Sequence, residues 1–508
     1  MPAMGPIEPR PAVKLKQLRP SPPRAMAAIT IEEKMRIEQK AAAMKPLATA
    51  IAALVLTGCA TLSNDGGMDA VSAAVQERTG QQAQRQKSGG DDAAMQRAVE
   101  EILARPLTPD SAVRLALSNN KGLQASFAGL GVAEADLVQA GRLRNPGFSF
   151  GRLRGGGNVE IDRSIMFDFV GLLTLPARTG IEGRRFEQAK LLAAAQAVQL
   201  AADTRKAYFN AVAAQQSAHY AAQVAEAAQA SAELAQRLRR VGNWSALDQA
   251  REQSFHADAV TQLARARHNA IAARERLARH LGLWGANAAG YALPDRLPDL
   301  PDVPDEAVDM EARAMRQRLD VQVARRDAEA TARALDLTKA TRFINVFDAG
   351  YANKSQTGMP RENGYEVSLE LPVFDWGEAR AARAEASYMQ AVYRTADIAV
   401  QARSQVRVAY SAYRTAYDVA RHYRDQVVPL RKRISDEVLL RYNGMLASVF
   451  ELLADARAQV GSVNAAIEAQ RDFWIAQTSL DAAVNGSGAG VDFAGPAATA
   501  YGPGQAQE

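Results

Sequence analysis

The sequence predicts a mainly α chain with a small β part, in which one helix–strand–helix unit is written twice and four strands need further copies to close. Matching motifs recur about two hundred residues apart, helical stretches run too long for a compact domain, and short period-two stretches sit between them.

The duplication is read from four matches in order. Pro109-Asp110-Ser111-Ala112-Val113 returns as Pro304-Asp305-Glu306-Ala307-Val308, and Ala133-Glu134-Ala135 as Ala328-Glu329-Ala330, both 195 residues on. Phe167-Asp168-Phe169 through Leu175-Pro176 matches Glu366 through Leu371-Pro372 at 196, and Gly242 matches Gly444 at 202. The spacing places the repeats at 105–290 and 291–485.

In each repeat a helix (about 110–143 and 305–341) leads into alternating sequence. Phe148 and Phe150, then Ile165, Phe167 and Phe169, form the apolar set in the first. In the second it is Phe343, Asn345, Phe347, Ala349 and Tyr351, then Tyr365, Val367, Leu369 and Leu371, with Glu366, Ser368 and Glu370 opposite. Such alternation predicts strands with one apolar face. Gly155-Gly156-Gly157 and Gly358-Met359-Pro360 supply the loops between strands. Four strands cannot close into a barrel, whereas three copies give twelve, which can. No uncharged apolar run reaches the ~18–20 residues of a spanning helix, so a membrane crossing would have to be such a barrel.

Very long helices follow. Arg184 to Arg240 holds 57 residues without Gly or Pro, about 85 Å of helix, and Asn243 to Leu281 continues beyond the Gly242 turn. Ala379 to Val428, Pro429, and Leu446 to Val484 repeat the plan. Their faces are Ala-rich, as in Leu191-Leu192-Ala193-Ala194-Ala195, which suits slender, closely packed helices in a coiled assembly.

The formal charge of +5 belongs to the start of the chain. Residues 1–58 hold nine Lys/Arg against four Glu, leaving 52 bases and 52 acids across 59–508. A nucleic-acid surface is therefore unsupported and no nucleic-acid partner is expected. The single cysteine, Cys59, excludes a disulfide framework. It closes thirteen uncharged residues that follow Lys45, ending Leu56-Thr57-Gly58-Cys59. A basic region, an apolar core and a small-residue cleavage site describe a secretory signal, and the terminal tetrad resembles the bacterial lipobox, whose Cys is lipidated. The bland alternative is a buried Cys after a chance apolar run. Ala60, where inner-membrane lipoproteins often carry Asp, points to the outer membrane. Residues 1–43 read as a disordered upstream extension or a misassigned start, 44–58 as the signal peptide, 59–104 as a lipidated N-terminus and flexible tether, and 486–508 as a Gly/Ala-rich disordered tail.

Several motifs are decoys. Gly147-Phe148-Ser149-Phe150-Gly151 matches a nucleophile elbow but lacks the required helix after it. Five His (His219, His256, His268, His280 and His422) are scattered singly, and the twelve-residue spacing of the middle three keeps them off one helix face. Gly155-Gly156-Gly157 lacks the Lys-Ser/Thr of a phosphate loop. Neither an enzyme nor a cofactor is expected.

With these residues in view, the chain resembles the TolC family of outer-membrane efflux proteins, in its lipoprotein branch. The resemblance rests on Leu369-Glu370-Leu371-Pro372-Val373-Phe374-Asp375-Trp376-Gly377, with Leu175-Pro176-Ala177-Arg178 as first-half counterpart, and on Leu107-Thr108-Pro109-Asp110-Ser111-Ala112. It also rests on two helix-turn tips, Val241 to Asp248 and Tyr442 to Ala447, and covers roughly 105–485. It implies a duplicated long-helix α-barrel protomer whose four strands join a trimeric twelve-stranded transmembrane β-barrel. It further implies a homotrimer that contacts a periplasmic adaptor and an inner-membrane pump and gives passive export to the exterior. On this likeness Gly242, Asn243, Trp244, Gly444 and Met445 are candidate adaptor contacts, with packing between helices as the other reading of Trp244. Acidic residues past each turn would ring the closed end. Asp248 holds that place, while the 202-residue spacing puts Phe450 opposite it and leaves Glu451 and Asp455 as second-half candidates. A non-channel coiled-coil envelope scaffold and the exit duct of a type I secretion system are the alternatives, and β-content separates the first from a channel.

Overall fold

The computed structural model describes residues 61–486 apart from 87–88, 286–287, 289, 307–308 and 344–345. Cys59, the expected leader and the tail beyond 486 lie outside the described residues, as does Asn345.

Two short helices, α1 (Met68–Thr79) and α2 (Gly89–Leu103), come first. Both fall in the segment read from sequence as a tether. Val71 and Val75 share one face of α1 and are buried with Met68 against Ala194, Ala197 and Ala201 of a later helix. Apolar spacing of three and four within polar sequence is enough to dock a helix, and Ser63 ahead of it donates through N and Oγ to Glu134, so residues 63–79 are not a free tether.

The first repeat runs α3 (Pro109–Asn119), α4 (Lys121–Ala140), β1 (Gly147–Gly155), β2 (Asn158–Asp168), α5 (Phe169–Arg240) and α6 (Ala246–Leu281). The second runs α7 (Met310–Gln317), α8 (Leu319–Ala340), β3 (Phe347–Gln356), β4 (Glu362–Leu369) and α9 (Glu378–His422). A π-turn (Tyr423–Val427), α10 (Val428–Asn443) and α11 (Val449–Asn485) complete it.

The opening helix of each repeat, expected as one piece, is broken in two by a residue that holds the far end of the return helix. At the first break Asn120 Oδ1 accepts from Leu123 N at 3.0 Å, while Asn119 Nδ2 donates to the Leu281 and Gly282 carbonyls. At the second, Arg318 donates to the Ala483 carbonyl at 3.0 Å and to Gln405, and forks onto Asp320 at 3.0 and 2.6 Å. Arg318 and Asp320 are each 1% exposed. Tyrosines lock the duplicated openings: Tyr208 Oη donates to the Leu107 carbonyl at 2.9 Å, and Tyr417 Oη to the Asp302 carbonyl at 2.8 Å. Burial pushes the Tyr208 hydroxyl up to about 12, so it stays a donor.

The long helices overrun the stops expected of them. α5 has 72 residues, about 108 Å, and begins fifteen residues before Arg184. It passes through Pro176, where Arg178 donates to the Gly171 carbonyl at 2.8 Å. Pro429 does not end the second long helix either. The π-turn just before it absorbs the missing N–H and the ring's clash with the preceding turn.

The four strands form one antiparallel sheet in the order β1-β2-β3-β4, so the repeats meet at β2 and β3. Directly paired residues share a face. One face carries the rows Phe347–Leu369, Phe167–Ala349–Val367 and Phe148–Ile165–Tyr351–Tyr365. The other carries Asp168, Asp348, Glu160, Asp162, Glu362 and Glu366, with Lys354 paired to Glu160. The predicted alternation holds. The strands are shifted: Phe169 opens α5, Phe343 precedes β3, and Leu371 lies past β4.

Candidate functional site: the helical tips and the strand sheet

The tips are built by one turn used twice. After α5, Val241 N, Gly242 N and Asn243 N donate to the carbonyls of Arg237, Arg239 and Leu238. After α10, Gly444 N, Met445 N and Leu446 N donate to Leu440, Tyr442 and Arg441. Every partner is displaced by 203 residues. Gly242 therefore corresponds to Met445, and both sit in the left-handed region, at φ +82° and +61°. Gly444, at φ −81°, does not. The expected Gly242–Gly444 match is off by one.

That shift changes the acidic position. Ser245 Oγ accepts from Asp248 N at 3.1 Å, and Ser448 Oγ accepts from Glu451 N at 3.1 Å. These are N-caps whose third helical residue is acidic. Asp248 and Glu451 are counterparts, and Phe450 is not Asp248's equivalent. Asp248 is occupied by its own helix: it accepts from Ser245 Oγ at 2.6 Å and lies 3.6 Å from Arg251. Glu451 is exposed. Asp455 is half-buried, and its Oδ2 is sequestered without a hydrogen-bond partner.

The 203-residue spacing also pairs Asp455 with Glu252, which sequence reasoning missed. Glu252 is 2% exposed and accepts from Ser231 Oγ at 2.9 Å and Arg457 Nη2 at 3.0 Å. The Arg457 guanidinium lies over the Phe255 ring at 4.3 Å. This network ties α5, α6 and α11 together near the tips. An acid four residues beyond Asp248 carried no distinguishing sequence signal, because its partners are far away in the chain.

Trp244 is half-buried and stacks on Phe450, with centroids 5.4 Å apart and planes at 28°. It joins one hairpin to the other. The most exposed apolar groups at the tips are Met445 (94%) and Leu446 (81%), with Val241 and Leu247 also exposed. Of these only Met445 was anticipated.

At the other end, each strand pair enters its helices through an Asp that fixes a Gly. Asp168 Oδ1 accepts from Gly171 N at 2.5 Å, and Asp375 Oδ1 from Gly377 N at 2.7 Å. A Cβ on Gly171 would collide with the Asp168 carboxylate. Leu175-Pro176-Ala177-Arg178, the expected first-half counterpart of Leu369 to Gly377, lies inside α5. Leu371, Val373, Phe374 and Trp376 form an exposed apolar run at the second junction.

No protein-family model matches the chain, and no curated protein matches it. Solved structures do. A membrane protein from Pseudomonas aeruginosa matches with a TM-score of 0.65 at 19% identity, over 74% of this chain and 93% of that one. The Campylobacter jejuni CmeC outer membrane channel matches with a TM-score of 0.65 at 16% identity, over 75% and 86%. The outer membrane protein VceC from Vibrio cholerae matches with a TM-score of 0.59 at 16% identity, over 78% and 97%. The chain has the fold of an outer-membrane channel protomer. That is the TolC-like fold to which its motifs pointed.

Proposed function

We propose that three copies of this chain form an outer-membrane channel that gives passive exit from the periplasm in a tripartite efflux system. The observation that carries the reading is the sheet. It has one apolar and one acidic face, while β1 and β4 each keep an unpaired edge. Open edges invite pairing with another chain, and three copies give a closed twelve-strand barrel with lipid outside and polar groups inside. No described helix is long and apolar enough to cross a membrane, which leaves the strands for that task. The long helices would line the periplasmic tunnel below.

In this assembly Cys59 carries the lipid that anchors the chain in the outer membrane. The adaptor meets Gly242, Asn243, Gly444 and Met445, with Leu446 beside them, while Trp244 holds the two tips in register. Glu451 and Asp455, with Asp248 behind its cap, line the constriction, where threefold symmetry multiplies each carboxylate. The inner-membrane pump supplies the energy and this subunit catalyses nothing. A coiled-coil scaffold would leave the four strands without a use. A type I secretion system would use the same conduit, and the partner crosslinked at the tips distinguishes the two.

The test is native mass spectrometry and planar-bilayer conductance of the purified mature chain. A trimer mass with stepwise conductance is expected. A monomer without conductance overturns the reading.

A further inference from the structure

Acids and arginines on the sheet are divided by face, and the single strand lysine, Lys354, sits among the acids. All six strand carboxylates lie on the polar face, whereas Arg152, Arg154 and Arg163, the only arginines in the strands, lie on the apolar face, which carries no acid. Arg152 and Arg154 are exposed, and no side chain or carbonyl pairs with either. Arg163 is held in place by a polar row across the sheet. Its Nη1 donates to Asn353 Oδ1 at 2.9 Å, Asn353 Nδ2 donates to Asn363 Oδ1 at 2.7 Å, and Tyr351 Oη donates to that same oxygen at 2.7 Å.

Their height along the strands is informative. From the Phe347–Leu369 row to the Arg163 row is six residues, about 20 Å, and the Arg152 row lies about 27 Å up. A lipid-facing apolar band in an outer-membrane barrel is ~25 Å tall. Arg152 and Arg154 therefore stand at and beyond the upper edge of such a band, Arg163 lies roughly 5 Å inside it, and the Tyr351 hydroxyl reaches up from below to the Asn363 that continues the Arg163 row.

We propose that this basic band binds the phosphate groups of an anionic lipid headgroup in the outer leaflet. Guanidinium forks match phosphate oxygens in geometry and charge, and without an acid on that face nothing on the sheet competes for them. A merely solvated face gives no reason for excluding acids from it. The inference rests on the channel reading, which sets the apolar face toward lipid and, in a trimer, encircles the barrel with this band.

The test returns the full chain, purified as its trimer, to phosphatidylcholine nanodiscs. These contain a minor fraction of bisphosphorylated lipid A or of the same lipid with its phosphates removed, and retained lipid is counted by native mass spectrometry. Enrichment of the phosphorylated lipid alone is expected. The variant R152Q/R154Q should lower it on the order of thirtyfold, and R152K/R154K should keep most of it. Equal retention of the two lipids, or equal retention by wild type and R152Q/R154Q, overturns the proposal. So does binding of free inorganic phosphate as strong as that of the lipid. Should R152Q/R154Q fail to trimerise, the two-lipid comparison on the unmodified chain decides. Failure of the channel reading is seen separately, as the absence of a trimer before any lipid is added.

Discussion

At the tip of the first repeat the left-handed position is filled by Gly242, and at the tip of the second by Met445, within the same frame of backbone bonds and the same Ser cap. The breaks between opening helices differ more. Asn120 uses a short neutral side chain, whereas Arg318 is a buried charge that needs Asp320, Gln405 and a carbonyl to satisfy it. The acids past the tips diverge further: Glu252 is paired, while its counterpart Asp455 hides an unpartnered oxygen. After duplication the backbone plan was kept and the means of satisfying it were not.

The largest expected break in this comparison is at the helix interruptions. Arg318→Ala leaves the buried Asp320 carboxylate without its guanidinium and should cost about 3–5 kcal/mol, whereas Asn120→Ala removes one cap and should cost about 1 kcal/mol. Thermal melts followed by circular dichroism in detergent would show the difference. Next is the acid pair. Glu252→Ala should lose about 2 kcal/mol, while Asp455→Ala should be neutral or stabilising because it removes an unsatisfied group. If the two variants melt alike, the assigned counterparts are not functionally distinct.

A double-mutant cycle on Trp244→Ala and Phe450→Ala should return a coupling of about 1 kcal/mol. Independence of the two would mean the stack does not join the hairpins. The smallest effect is at the turns themselves. Gly242→Ala should destabilise by about 1 kcal/mol, and Met445→Gly should stabilise by about 0.5 kcal/mol, since only the second relieves left-handed strain. Denaturant midpoints resolve the opposite signs.

The repeat, the strands and the long helices were legible because each rests on periodicity or spacing that local sequence carries. The register of the tips was legible too, but in the wrong letters. Matching glycine to glycine gave 202, whereas the caps Ser245-x-x-Asp248 and Ser448-x-x-Glu451 give 203 and restore the second acid. Pro429 misled for a different reason, since the π-turn before it accommodates what proline removes. Glu252 and Arg318 were invisible: a buried charge is intelligible only once its partners are brought to it by the fold.

The two unpaired strand edges bear on how such a molecule comes into being. Under the proposed assembly, a lone protomer in the bilayer would expose rows of unsatisfied amides to hydrocarbon, each at a cost of several kcal/mol. Insertion and oligomerisation then cannot be successive steps. The sheet can enter the membrane only with its neighbours, so the rate of maturation should climb steeply with the local abundance of the chain, and a shortage of subunits should give no channels rather than smaller ones.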